Sequence, residues 1–510
     1  MPSASIASGA TEGAASADSA TPVATRANAS ERAVRPVETF DMVWTTVRDN
    51  HFDKELNGVD WIAIREELRP KAVAISTQDE LRAVLLDMLG RLGQSHFTII
   101  PGDVAEESPV IDSPREQVRA PEDDASTAAP SGDDGASPAP SSAGPGVSGL
   151  DIALVEGEAT VLRVKESSPA AAAGVRPGWT VVAVGSHRIA DQLATMRAAL
   201  AREEQSSPDS PHARQLRTEL AIAGEAAFRA PAGASLPVTF GTPEGERTID
   251  VAFLPAPYGA PEFGNLPALP IEVDSRIVEI PASGKPIRVG VISFNIWLTG
   301  ASRAIDEAVD GLRSCDGIVI DLRGNPGGLG VMSTGVAGHF LAEPASLGSM
   351  IGRDNTLQFN ALPRKVSTAG KRVRPYARPL AILVDARSAS TSEVFAGGLQ
   401  DLGRARVFGE TSAGMALPAQ AIELPNGDVL MHAVADFVTG KGTRLEGRGV
   451  IPDETAVPSR AALLDGNDAA LDAAKRWIGE RTIASRAAKA GSSPVEAVTV
   501  PTSAPPPAQP

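Results

Sequence analysis

Apolar positions along this chain fall into three successive patterns, and each marks a different kind of structure. From about Pro36 to Ile100 the spacing is helical: Phe40, Val43, Trp44 and Val47 recur on one face. A further helix is predicted from Thr77, where Thr77 and Glu80 have capping-box spacing ahead of an apolar stripe, Leu81, Val84, Leu85, Met88, Leu89 and Leu92. Gly93 is placed to stop that helix in a left-handed cap, and Gln94-Ser95-His96-Phe97 follows the stop. From Gly149 short alternating strands take over, at 150–154, 159–164, 180–184, 236–240 and 248–253, with a short helix over Pro169–Ala173. Residues 190–230 read as helical and then loose. Past Pro257 strands and helices alternate: strand 289–294, helix 302–312, strand 317–321, a glycine-rich turn and a helix, strand 380–385, helix 392–402 and strand 405–409. That order predicts an α/β core with a largely parallel sheet. Pro425-Asn426-Gly427-Asp428 predicts a hairpin turn, followed by a strand over 429–438.

At 510 residues the chain is too long for one ordinary core, and two or three domains are expected. Charged residues, at 22%, are ordinary for a soluble protein, and the net charge of −16 argues against nucleic-acid binding, which needs a basic surface. Much of that acidity is local. Residues 101–147 hold ten Asp/Glu against only Arg115 and Arg119, in a Pro/Ser/Ala-rich context that reads as a mobile linker. The organisation expected is a disordered leader (1–35), an N-terminal helical region (36–100), the acidic linker (101–147), a small β-domain (148–256), the α/β core (257–478) and a disordered tail (479–510). Cys315, the sole cysteine, leaves no intrachain disulfide and reads as a buried thiol. No stretch reaches the roughly 18 apolar residues of a membrane span. Residues 1–30 lack the basic and apolar regions of an export signal as written.

Three loops at strand ends of the α/β core could carry chemistry. Asp321-Leu-Arg-Gly-Asn-Pro-Gly-Gly328 offers backbone N–H groups at close range, which suits an oxyanion or a phosphate; it is equally a tight strand-to-helix turn. It lacks the Lys-Ser/Thr ending of a phosphate loop, which disfavours nucleotide. Asp385-Ala-Arg-Ser-Ala-Ser-Thr-Ser-Glu393 puts small hydroxyls at a strand-to-helix junction, where they can act as nucleophile or as caps. Thr443-Arg-Leu-Glu-Gly-Arg-Gly-Val-Ile-Pro-Asp453 sets Glu446 among glycines.

Taken together, and in this order, these loops resemble the core of S41 peptidases, the tail-specific or C-terminal-processing type, over roughly 37–475. Residues 149–185, above all Ser168-Pro-Ala…Ala-Gly-Val…Gly178, look like the PDZ-like module of those enzymes. The resemblance implies a multidomain α/β protein: an N-terminal helical region, a PDZ-like β-domain and a crotonase-like/ClpP-like S41 catalytic core. It puts the nucleophile on Ser390. One branch of the family carries a lysine 25 positions later, but Met415 stands there and cannot take a proton. Asp401 matches an acidic residue of that branch and, without the lysine, is expected to be structural. The chain therefore resembles more closely the tricorn-core-like branch, with His96 as general base assisted by Ser95 and Glu446.

The activity implied is serine-type endopeptidase hydrolysis. His96 would take the Ser390 proton and return it to the leaving amine, while N–H groups at Gly327, Gly328 and Thr391 would hold the oxyanion. Gly149 and Leu150 match the PDZ position that captures a substrate's C-terminal carboxylate, although Asp151 sits awkwardly there and a purely structural module is an equal alternative. His51, His187, His212, His339 and His432 lack a neighbouring hydroxyl in a matching context. No His/Cys/Asp/Glu grouping has metal-ligand spacing, so no metal or cofactor is expected. The partners implied are polypeptides, with no nucleic acid and no transmembrane span; oligomeric state is open. The family suggests a periplasmic or secreted location. Two rival readings are an inactive S41-fold binding protein and an esterase or acyl transferase using the same site.

Overall fold

A computed structural model describes residues 34–102, 144–207, 210–226, 228–261 and 268–491. Most of the expected leader, linker and terminal segment lies outside those residues. At the edges the description departs from expectation. Gly146–Val147 pairs with Leu254–Pro255, so the last residues assigned to the linker belong to the β-unit. The helix Ala469–Gly491 carries regular structure through 479–491, where the sequence predicts a disordered tail.

The α/β core is built on a six-stranded sheet in the order Val273–Ile280, Ile287–Phe294, Gly317–Asp321, Leu380–Val384, Arg406–Gly409, Glu454–Thr455. The first pair is antiparallel and the others are parallel. Strands covered on both faces read as unbroken apolar runs, and alternate residues here serve two different cores. Ile318, Ile320, Leu380, Ile382 and Val384 pack toward the helices Thr299–Leu312 and Thr391–Asp401. Val289, Val291, Val319, Ala381 and Leu383 pack toward Ala470, Ala474 and Ile478 of the C-terminal helix. Cys315 is fully buried, and burial raises its thiol pKa.

The β-unit is a sheet in the order Leu150–Val155, Glu158–Val164, Thr180–Val184, Ser235–Thr242, Gly245–Ala252. Two helices, Ile189–Ser206 and Pro211–Ala226, fill the stretch that had read as half loose, and His212 lies in the second. Leu193 and Ala223 supply their buried contacts.

The front of the chain forms helices Pro36–Asn50, Trp61–Val73 and Gln78–Gly90. Trp44 and Trp61 each donate the indole N–H to the other's carbonyl, at 2.8 and 3.0 Å. The capping box at Thr77/Glu80 is formed, and Gly93 takes φ +63°. The strand that follows, Thr98–Ile100, pairs with Val429–Ala433, the second arm of the hairpin begun by Ala419–Glu423. Leu417, Leu424, Leu430 and Ala433 join the same apolar cluster as Phe40, Leu85 and Phe97. Asp428 in the hairpin turn, almost fully buried, takes a two-pronged bond from Arg82 (2.7 and 3.0 Å) and the Gly102 N–H at 2.9 Å. The single strand expected over 429–438 is two, Val429–Ala433 and Ala435–Thr439. The break at Val434 sends the second into another sheet beside Ala345–Gly352. No helix among the described residues is long and apolar enough to cross a membrane.

Candidate active site

The carboxyl ends of two adjacent central strands, Gly317–Asp321 and Leu380–Val384, deliver the two loops that the sequence singled out. In open α/β sheets this is where ligands bind. After Val384 the chain turns through Asp385–Ala389 and enters the helix Thr391–Asp401 at Ser390, with φ 52° and ψ −117°. A non-glycine residue in that region carries roughly 1–3 kcal/mol of backbone strain, held only by its surroundings. Two bonds do the holding: the Ser390 N–H donates to the Met415 carbonyl at 2.9 Å and to the Glu393 carboxylate at 3.0 Å.

The three serines of this turn are not equivalent. Ser388 Oγ donates to the Leu322 carbonyl (2.8 Å), and Ser392 Oγ donates to the Asn325 carbonyl (3.0 Å) while accepting from the Trp297 indole. Among the described residues the Ser390 hydroxyl has no acceptor for its proton. It is also half-buried, where the other two are closed in.

The glycine-rich loop lies against it. A Cβ on Gly327, whose φ is +102°, would fall 2.7 Å from Ser390 Cβ, and one on Gly328 would fall 2.5 Å from the Trp297 carbonyl. Only glycine fits at either place. The Gly327 N–H donates to Asn325 Oδ1 at 3.0 Å, so it is already committed, a departure from its expected part as oxyanion donor. Gly328 and Thr391 have no acceptor for their N–H groups among the described residues, and Thr391 Oγ1 ties the two segments together by donating to the Gly328 carbonyl at 2.8 Å.

From the front of the chain, Ser95 and His96 arrive in the loop just ahead of the strand Thr98–Ile100. His96 has φ +62°. Glu446 accepts the Ser95 N–H on Oε1 (2.9 Å), and on Oε2 both the Ser95 hydroxyl (2.8 Å) and the Ala416 N–H (3.0 Å). Ser95 Oγ lies 2.8 Å from His96 Nδ1. A hydroxyl has one proton. With that proton given to the carboxylate, Ser95 accepts from Nδ1–H, and the imidazole keeps its lone pair on Nε2. That nitrogen has no protein partner among the described residues, and no hydrogen bond joins it to Ser390. Burial pulls the His96 pKa down to about 4 and pushes that of Glu446 up.

Residues 412–416 hold the two halves together. Glu393, missed by the sequence reading, accepts Ser412 Oγ (2.6 Å) and the Gly414 (2.8 Å), Met415 (3.0 Å) and Ser390 N–H groups. Its fully buried carboxyl is pushed up to about 7 by desolvation, against the pull of those donors. Its signal was its place, three residues after Ser390, the spacing of a capping box. Asn325 was missed too; its Nδ2 donates to the Phe294 carbonyl at 2.8 Å, and it shapes the glycine loop from a wholly buried position.

The remaining candidates lie elsewhere. Gly149 and Leu150 sit at the start of the β-unit's edge strand. The Gly149 carbonyl takes the Lys165 N–H, and the Leu150 N–H reaches Ser148 Oγ at 3.4 Å. Both line a cavity of about 770 Å³ between β-unit and core, which extends to Asn295 and Pro326. Asp151 turns onto Arg163 and Arg387, which removes the awkwardness of a carboxylate at that position. Asp401, at the far end of the Ser390 helix, accepts the Lys441 N–H at 3.2 Å. His51 and His339 are buried and bonded to Gln94 and Asp306 respectively.

Residues 288–456 match the family model "Peptidase family S41", and residues 36–90 match "Tricorn protease C1 domain". The chain is 32% identical over 184 residues to carboxyl-terminal-processing peptidase 2, chloroplastic, of Arabidopsis thaliana, covering 36% of this chain and 34% of that protein. It is 31% identical over 169 residues to a carboxyl-terminal-processing protease of Picosynechococcus sp., covering 33% and 39%. The chain thus spans little more than a third of the curated relatives it matches. A solved structure of a photosystem II D1 C-terminal processing protease aligns over 86% of this chain and 98% of its own, at 19% identity and a TM-score of 0.47.

Proposed function

We propose that this chain is a serine endopeptidase of the S41 type, in which Ser390 attacks the peptide carbonyl and His96 is the base. The observation that carries the reading is the difference among the three serines: Ser390 alone keeps its hydroxyl proton uncommitted, in a strained turn beside two glycines. A serine hydroxyl needs a neutral base to attack at pH 7. His96, with Nδ1–H spent on Ser95, has Nε2 left for that proton. Substrate binding closes the remaining gap, since catalytic hydrogen bonds are often open before substrate arrives.

Acyl transfer would proceed through a tetrahedral oxyanion held by the Gly328 and Thr391 N–H groups, the latter at a helix N-terminus whose field favours negative charge. Gly327 contributes shape, letting the loop approach Ser390 Cβ. Glu446, through Ser95, would keep His96 in the productive tautomer and stabilise its cation one hydrogen bond removed. Met415 supplies its backbone: the carbonyl fixes Ser390, and the thioether takes no proton. The β-unit would act as the PDZ-like module beside a crotonase-like core. The substrate would be a polypeptide entering by the cavity between them, with Gly149 and Leu150 at its edge.

A fluorophosphonate probe tests the assignment. The wild-type chain should be labelled, and Ser390→Ala should not. His96→Ala should lose both cleavage and labelling while melting close to wild type. Labelling that survives Ser390→Ala removes the nucleophile. A large drop in melting temperature for His96→Ala would leave that histidine a packing residue.

A further inference from the structure

The turn that presents Ser390 is held from behind by a side chain that touches no part of the proposed reaction. Arg387, three residues before Ser390, has only 3% of its side chain exposed. Its Nε and Nη2 donate to Asp385 Oδ2 at 3.0 and 2.7 Å. Nη1 donates across the boundary to the β-unit, to Asp151 Oδ1 at 2.9 Å and to the Ile152 carbonyl at 2.7 Å. The other oxygen of Asp385 accepts the Gly324 and Arg387 N–H groups, both at 3.0 Å, and so ties in the glycine loop. One guanidinium therefore joins the Ser390 turn, the oxyanion loop and the β-unit's edge strand. The chain of charge continues: Arg163 donates to Asp151 and Asp321, and Arg323 donates to Asp321 and Asp468.

Resting on the nucleophile assignment above, we propose that Arg387 is a positioning residue for Ser390 and that the β-unit, through Asp151 and the Ile152 carbonyl, braces the nucleophile turn. A strained residue keeps its conformation only if its neighbours over-determine it. Met415 and Glu393 hold the Ser390 N–H itself, and Arg387 fixes the strand end that leads into it. A planar fork matches acceptors on two sides at once, which a lysine cannot. Misplacing a nucleophile by even an ångström costs up to about a hundredfold in rate, without altering how substrate is held.

The test uses the full chain and three variants: Asp151→Asn, Arg387→Lys and, as control, Glu225→Gln, whose carboxylate is 3.4 Å from Arg387 and half-exposed. The readouts are the fluorophosphonate labelling rate of Ser390, kcat and KM on a peptide substrate, and the fraction folded across a temperature series. Asp151→Asn and Arg387→Lys should lower labelling rate and kcat together by about ten- to a hundredfold, with KM within about twofold and at temperatures where the fold is intact. Glu225→Gln should stay within about twofold. If Asp151→Asn does not fold, Asp151→Glu, which keeps the charge and displaces it, should show an intermediate loss. Wild-type labelling rates in folded Asp151→Asn and Arg387→Lys overturn the proposal, as does a loss that merely tracks the unfolded fraction. Ser390→Ala run alongside separates the two ideas: if it is still labelled, the nucleophile assignment has failed, whatever Arg387 does.

Discussion

Exchanging one oxygen for an amide nitrogen at Glu446 should invert the proton order along the whole relay. In the wild type both carboxylate oxygens accept, from the Ser95 N–H, the Ser95 hydroxyl and the Ala416 N–H. Glu446→Gln keeps the shape but puts two donors where Oε2 stood. Facing an NH2, Ser95 Oγ becomes an acceptor and turns its own proton toward His96 Nδ1. The imidazole proton moves to Nε2, and the proposed base loses the lone pair it would offer Ser390. Where carboxylate and imidazole touch directly, such an exchange costs about 10⁴ in turnover. Here a hydroxyl intervenes and can rotate back at the expense of one charge-assisted bond, about 1.5–3 kcal/mol. The expected fall in kcat is therefore about 10- to 150-fold, with KM nearly unchanged. The assay is steady-state cleavage of a fluorogenic peptide across pH 5–9, with melting curves to confirm the fold. Burial raises the Glu446 pKa, so protonation in acid should mimic the substitution, and the wild type should show a rate decline toward low pH that Glu446→Gln lacks. Turnover within twofold of wild type at pH 7 would refute the relay.

Three other outcomes follow from the same geometry. Ser390→Gly and Ser390→Ala should both be inactive, but the glycine variant should be the more stable by about 1 kcal/mol in denaturant unfolding, because φ 52°, ψ −117° suits glycine and strains alanine. Met415→Ala should retain activity within about fivefold in the peptide assay, since the site uses that residue's backbone; a loss beyond a hundredfold would give the thioether a role. His96 stays neutral in the fold down to about pH 4, whereas an unfolded histidine protonates near 6.5. Between those values the unfolded state binds more protons, so stability should fall as pH drops from 6.5 to 4, by up to about 3 kcal/mol. His96→Gln should flatten that slope in unfolding titrations at pH 7 and 4.5.

Much of the α/β core could be read from the chain because its central strands are buried on both faces. Gly317–Asp321 and Thr180–Val184 stand where their apolar runs put them, and the helix with the Leu81–Leu89 stripe begins at its capping box. The reading failed where local pattern and tertiary demand diverge. Residues 211–226 form a helix whose sequence, with Arg, Gln and Glu around few large apolar residues, gives a weak stripe, and its packing rests on small contacts such as Ala223. The long strand over 429–438 splits because Val434 changes sheets, and nothing in a two-residue alternation encodes that. Ser95, His96, Glu446 and Ser390 were found as types in suggestive contexts. Glu393, Asn325 and Arg387 were not, since their importance lies in whom they bond across the fold. A capping glutamate or a turn arginine looks ordinary until its partners are in place.

The pairing of Thr98–Ile100 with the hairpin at 419–433 has a consequence for how this protein comes into being. The imidazole is made within the first hundred residues, yet the surface that seats it is translated more than three hundred codons later, and its orienting carboxylate later still. A chain interrupted before residue 446 would lack the carboxylate that holds Ser95, and also the C-terminal helix that covers one face of the central sheet. Under the proposed chemistry, cleavage would have to wait until the last part of the core has been made.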